Sequence, residues 1–143
     1  MEALGRTINP VPLADGAYVS LRDVGGVAFS CYLAAAAGDT YTLVEARDAA
    51  GTGAQNLATI TRYHTSTGDG TDGWTLHTQT AAATVVTAAA ATENAMVVEV
   101  DGTELSDTYD YVKLTSTGAG TVHAITRDLV VQRKPANLPA LGV

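Results

Sequence analysis

The sequence predicts an all-β, antiparallel domain, a β-sandwich or barrel-like body with an extended arm at each end. Three observations predict it. Thr, Val, Ala and Gly dominate while Lys is scarce, short runs of β-branched and aromatic residues recur, and Gly, Asp and Asn cut those runs at intervals of roughly 8 to 12 residues. At 143 residues the chain has the length of one domain and can bury roughly 68% of its unfolded surface, so no metal or disulfide staple is required.

The expected strands run in order. "AYVSLRD" (17–23), "GVAFSCYL" (26–33), "TYTLVEAR" (40–47) and "NLATITRYHT" (56–65) come first. "GWTLHTQT" (73–80), "ATVVT" (83–87), "AMVVEV" (95–100), "YDYVKLTST" (109–117) and "TVHAITRDLVVQ" (121–132) follow. Alternation puts Val27, Phe29, Cys31 and Leu33 on one face, and Ile125, Leu129 and Val131 on another, and these faces are expected to meet in the core. The turns "RDVGG", "AAGTGA", "GDGTDG" and "STGAG" supply residues that tolerate positive φ, as tight hairpins demand. "TAAAATENA" (87–95) is too short for a stable isolated helix and reads as a loop.

Composition then excludes function classes. A net charge of −7 with eight Lys and Arg spread along the chain is unsuited to neutralising phosphates, so no nucleic-acid partner is expected. No apolar run reaches the length of a membrane span, and "MEALGRTINP" lacks the basic and apolar regions of a signal peptide, so synthesis in a cytoplasm and no membrane partner are expected. Cys31, the single cysteine, sits in an apolar run and reads as core. His64, His77 and His123 fall on three different strands without metal-ligand spacing. No Gly-x-Ser-x-Gly elbow is present, and counting twelve positions from Asp69 reaches Thr80 where a calcium-binding EF-hand needs glutamate. No enzyme activity, metal or cofactor is expected.

The two ends are of a different character. Pro10 and Pro12 stiffen residues 1–14, and Pro135 and Pro139 stiffen residues 133–143, leaving a β-domain over 15–132. Leu4, Ile8, Val11 and Leu13 at one end, and Leu138, Leu141 and Val143 at the other, are apolar groups on extended chain, which favour a surface to lie on. Arg133 and Lys134 form the only adjacent cation pair in this acidic sequence.

The segments "LGRTINPVPLADG", "VSLRDVGGVAF", "DTYTLVEARDAAGTGAQNLA", "ELSDTYDYVKLTST" and "LVVQRKPANLPALGV" carry a resemblance that spans most of the chain. It resembles small structural proteins of tailed bacteriophages of actinobacterial hosts, and among them capsid decoration, or cement, proteins. The resemblance implies a β-rich module on the outer surface of the capsid in the virion, often clustered at three-fold or quasi-three-fold axes. The major capsid protein and further copies of the chain, most simply a homotrimer, are then the expected partners. It carries over no catalytic residue. The recurrent tail of such proteins corresponds here to Arg133, Pro135, Ala136, Asn137, Leu138 and Pro139. The anchoring residues expected on both counts are Arg133, Lys134, Pro135, Asn137, Leu138, Pro139, Leu141 and Val143, with Pro10, Pro12 and Leu13 at the other end. Other phage structural roles, in a tail tube, baseplate or head-to-tail connector, fit the same composition, and a carbohydrate-binding β-domain is the alternative from a different class.

Overall fold

A computed structural model of the protein describes residues 3–11 and 14–138. Its strands are β1 (Ile8–Pro10), β2 (Val19–Ser20), β3 (Val24–Tyr32), β4 (Thr40–Ala46), β5 (Gln55–Asn56) and β6 (Ile60–Ser66). β7 (Thr75–Ala82), β8 (Thr84–Val86), β9 (Ala95–Asp101), β10 (Tyr111–Ser116) and β11 (Thr121–Leu129) follow. They form a six-stranded sheet in the order β1-β11-β3-β9-β6-β7 and a five-stranded sheet in the order β2-β10-β4-β5, with β8 pairing the other part of β4. The two antiparallel sheets pack face to face and do not close into a barrel, so the architecture is a β-sandwich.

Period-2 alternation builds the core. Val27, Phe29 and Cys31 of β3 and Met96, Val98 and Val100 of β9 point inward from the larger sheet. Tyr41 and Leu43 of β4, with Val112 and Leu114 of β10, meet them from the smaller one. Each such side chain contributes about 1.5–3 kcal/mol by leaving water. Cys31 is buried and unpaired, and its burial pushes the thiol pKa up, which keeps it an inert core group. A small second cluster, Tyr18, Ala46 and Tyr111, covers the far side of the smaller sheet. There the Lys113 ammonium lies 4.4 Å from the Tyr18 ring centre and the Arg22 guanidinium 5.2 Å from that of Tyr111.

Three expectations need correction. The run 56–65 is two strands, because the chain crosses from one sheet to the other between β5 and β6. Leu57 still bonds to Leu43 O across the smaller sheet (3.0 Å), whereas Ile60 pairs with Ala82 in the larger one. The inner face of β11 is not Ile125, Leu129 and Val131: Val122 and Thr126 are buried there, Ala124 packs on the core, and Ile125 faces the other way. Asp128 adopts left-handed backbone (φ 54°) opposite Gly25 and turns the strand over, so that Leu129 rejoins the core beside its partner Val24 while Val131 remains 44% exposed. Residues 1–14 are not wholly an arm either. Ile8, Asn9 and Pro10 pair with Arg127, Thr126 and Ile125 as the edge strand of the larger sheet. Proline is tolerated at an edge because it has no N–H to leave unbonded. The stretch 87–95 is a loop with one 3-10 turn at Ala91–Glu93.

Candidate functional site

The strongest buried polar groups serve the fold. Asp39, at the start of β4, accepts hydrogen bonds from the amides of Thr40 (2.7 Å), Thr117 (3.1 Å) and Gly118 (2.8 Å), and from the hydroxyls of Ser116 and Thr117. It thereby pins the turn between β10 and β11. Burial by itself would raise its pKa, but these donors outweigh it and hold the carboxyl below the usual range. Glu45 is fully buried on β4 and accepts from Gln55 Nε2 (2.6 Å), Ser106 N (2.8 Å) and Ser106 Oγ (2.5 Å), tying down the loop that precedes β10. Among the described residues, neither carboxylate lines the principal concavities.

The histidines and the acidic hairpin are accounted for in the same way. His77 stacks on Tyr63 with ring centres 4.8 Å apart, and its Nε2 lies 2.8 Å from Thr65 Oγ1. His64 and His123 are exposed on the outer face of the larger sheet. Asp69 and Asp72 turn back onto their own hairpin. Asp69 accepts from the Thr71 amide (2.9 Å) and hydroxyl (2.6 Å), and Asp72 accepts from the Thr67 amide (3.1 Å). The Thr67 hydroxyl (2.5 Å), with the hydroxyl and amide of Thr71, holds the Asp69 carboxyl down to a pKa of about 2. Among the described residues no group of three His, Cys, Asp or Glu side chains is placed to hold a metal ion. A concavity of about 410 Å³ on the outer face of the larger sheet is lined by Arg62, His64, Glu99, Asp101 and Arg127, among others. Arg127 is engaged there with Asp101, with Asp128 (2.5 Å) and with Glu99 (3.7 Å).

The feature that stands apart is the corner where the two ends of the chain meet. Residues 3–7 fold back over β1: Ile8 N–H donates to Ala3 O (3.2 Å) and Gly5 N–H to Ile8 O (2.9 Å). After β11 the chain runs past this turn, with Val130 N–H donating to Asp23 O (2.9 Å) and Arg133 N–H to Gly5 O (2.8 Å). Pro135–Asn137 form a 3-10 turn that brings Leu138 into a crevice with Asn9, Val24, Leu129 and Val131. The Oγ1 of Thr126, buried inside the larger sheet, donates to Asn9 O (3.1 Å) and anchors β1 beneath them. A Cβ on Gly5 would stand 2.3 Å from Arg133 O, and the residue has φ +79°, so only glycine fits this crossing.

The chain ends are therefore clasped, not splayed, as far as the structure describes them. Of the expected anchoring residues, Arg133, Lys134, Pro135, Asn137 and Leu138 come together at this corner with Pro10 on the neighbouring edge strand. Pro12, Leu13, Pro139, Leu141 and Val143 lie outside the described residues. The sequence alone did not point to Gly5 or Arg6, which complete the corner; Arg6, Arg133 and Lys134 line one shallow hollow. Beside them Leu4, Ile8, Val130 and Val131 are exposed, Val130 to 74%. Gly5→Ala is expected to open the clasp at a cost of about 1–3 kcal/mol. Amide exchange at Arg133 should accelerate while exchange in β3 and β9 does not.

No protein-family model, curated protein or solved structure matches the chain.

Proposed function

We propose that this chain is a viral structural protein: a capsid decoration, or cement, protein that binds the outer face of a phage head and bridges adjacent capsomers. The clasped corner is the observation that supports this most. It presents three cations, Arg6, Arg133 and Lys134, beside four exposed aliphatic side chains on a chain of net charge −7. Such a mixed basic and apolar patch on an acidic body suits one oriented contact with a large partner, here the major capsid protein. The acidic remainder suits the outside of a shell that holds DNA, since like charge penalises approach to packaged phosphate.

The role is mechanical and not catalytic. Apolar area covered at the corner contributes about 25 cal/mol per Å², and many copies on a symmetric shell, held as oligomers, turn a modest contact into a firm one. The clasp also lowers the cost of binding, because the docking residues are already held in place. A homotrimer at a three-fold axis is the assembly that the sequence resemblance implies.

The direct test is to mix purified protein with heads that lack it, sediment the heads, and image them with and without it. Regular density on the outer surface, with heads that resist heat or low salt better, is the expected result. Absence from sedimented heads, with density on the tail or baseplate or a ring of about six copies in solution, would assign the chain to a tail or connector role instead.

A further inference from the structure

We propose that β7 is a strand-addition edge at which a second copy of this chain pairs antiparallel, β7 against β7, about a two-fold axis at Leu76. The larger sheet has two edges, and they differ. At β1 the outward groups of Ile8 are taken, its N–H and C=O being bonded to the turn at residues 3–7, and Pro10 has no N–H to offer. At β7 the strand pairs with β6 on one side, and among the described residues no backbone bond from another element reaches its outer side. The smaller sheet ends in strands of two or three residues. Among the strands that end a sheet, β7 is thus the one longer than three residues.

β7 also lacks protective residue types. Its sequence, TLHTQTAA, contains no Lys, Arg, Asp, Glu or Pro, the residues that ordinarily discourage edge pairing. A register shift opposite Ile60–Arg62 makes it irregular beyond Thr78, which leaves Thr75–Thr78 as the regular stretch. Leu76, 53% exposed, stands in the middle of that stretch, and Trp74, 55% exposed, immediately precedes it.

The occupant follows from these same features. A head-to-tail contact of β7 on a neighbour's β1 is blocked by the closed edge, so the matching open edge on another copy is a second β7, and the contact closes as a dimer without propagating. About an axis at Leu76, the strand meets itself with no like-charge pair, Leu76 lies against its counterpart, and Trp74 faces Thr78 of the other copy. The acidic tip at Asp69 and Asp72 precedes β7. Antiparallel pairing sends the two tips to opposite ends, about 25 Å apart at roughly 3.4 Å per residue, well past a Debye length of about 8 Å. Parallel pairing would set them side by side.

This dimer is independent of the capsid reading and of three-fold clustering, so either can fail alone. The test is sedimentation equilibrium on three forms: the unaltered chain, Leu76→Lys and Leu76→Glu. The unaltered chain is expected to dimerise. Each variant alone should dissociate about 100-fold more readily, because it sets like charges face to face, with the circular dichroism of the unaltered chain retained. An equimolar mixture of the two variants should restore the dimer, which a folding defect would not do. An unaltered chain that stays monomeric, a trimer indifferent to Leu76→Lys, or variants that fail to recombine would overturn the proposal.

Discussion

Asp39→Ala is expected to destabilise the protein by about 3 kcal/mol, since five donors lose one shared, buried acceptor. In a chain of this length that corresponds to a fall in Tm of about 10 °C, measurable by calorimetry. The same group sets a pH dependence. Its pKa is lowered in the folded state, so its contribution is fully present above the unfolded carboxylate value of about 3.9 and disappears as pH falls through the lower folded value. The difference in stability between the unaltered chain and Asp39→Ala should therefore be constant from neutral pH down to about pH 5 and shrink below it. Asp48 and Asp69 also carry lowered pKa values, but both remain in the variant, so the difference isolates Asp39. A difference that widened on acidification would contradict the assigned direction.

Removal of residues 133–143 is expected to abolish binding to heads while leaving the sandwich folded. The deleted segment makes one backbone bond to Gly5 and places Leu138 in a crevice, contacts whose loss costs about 1–2 kcal/mol. No core side chain lies among its described residues, 133–138. The finer variant Arg133→Glu with Lys134→Glu keeps the main chain in place and reverses the charge of the corner. Its binding should be weaker by about tenfold or more at low salt, and the gap should narrow as salt rises. Unchanged binding after the full deletion would remove the clasped corner from the mechanism.

How far the sequence was legible follows from what each feature depends on. Strands such as β3, β4 and β9 could be read directly, because alternating apolar residues and Gly, Asp or Asn breaks are local signals. β1 could not: three residues ending in proline acquire strand character only by lying against β11, more than a hundred positions away. The phase of β11 was misread because Thr126, polar by type, is placed inside by its bond to Asn9, and because a left-handed Asp128 reverses the faces after it. Of the candidate site, the cation pair at Arg133 and Lys134 and the prolines were visible as composition. That the tail closes on Gly5 was not, since nothing near Gly5 announces a residue arriving from position 133.

The place of β11 in the larger sheet has a consequence for biosynthesis. It is the last of the described strands in chain order, yet it lies inside the sheet, between β1 and β3. Until it emerges from the ribosome, β3 presents a bare edge and β1 has no partner strand in the sheet, so the larger sheet cannot be completed before β11 is made. Closing so long a loop places this domain among the slow, non-local folders, on the millisecond-to-second scale. In that interval β3, with its apolar run from Val27 to Cys31, is the segment most exposed to mispairing with other nascent chains.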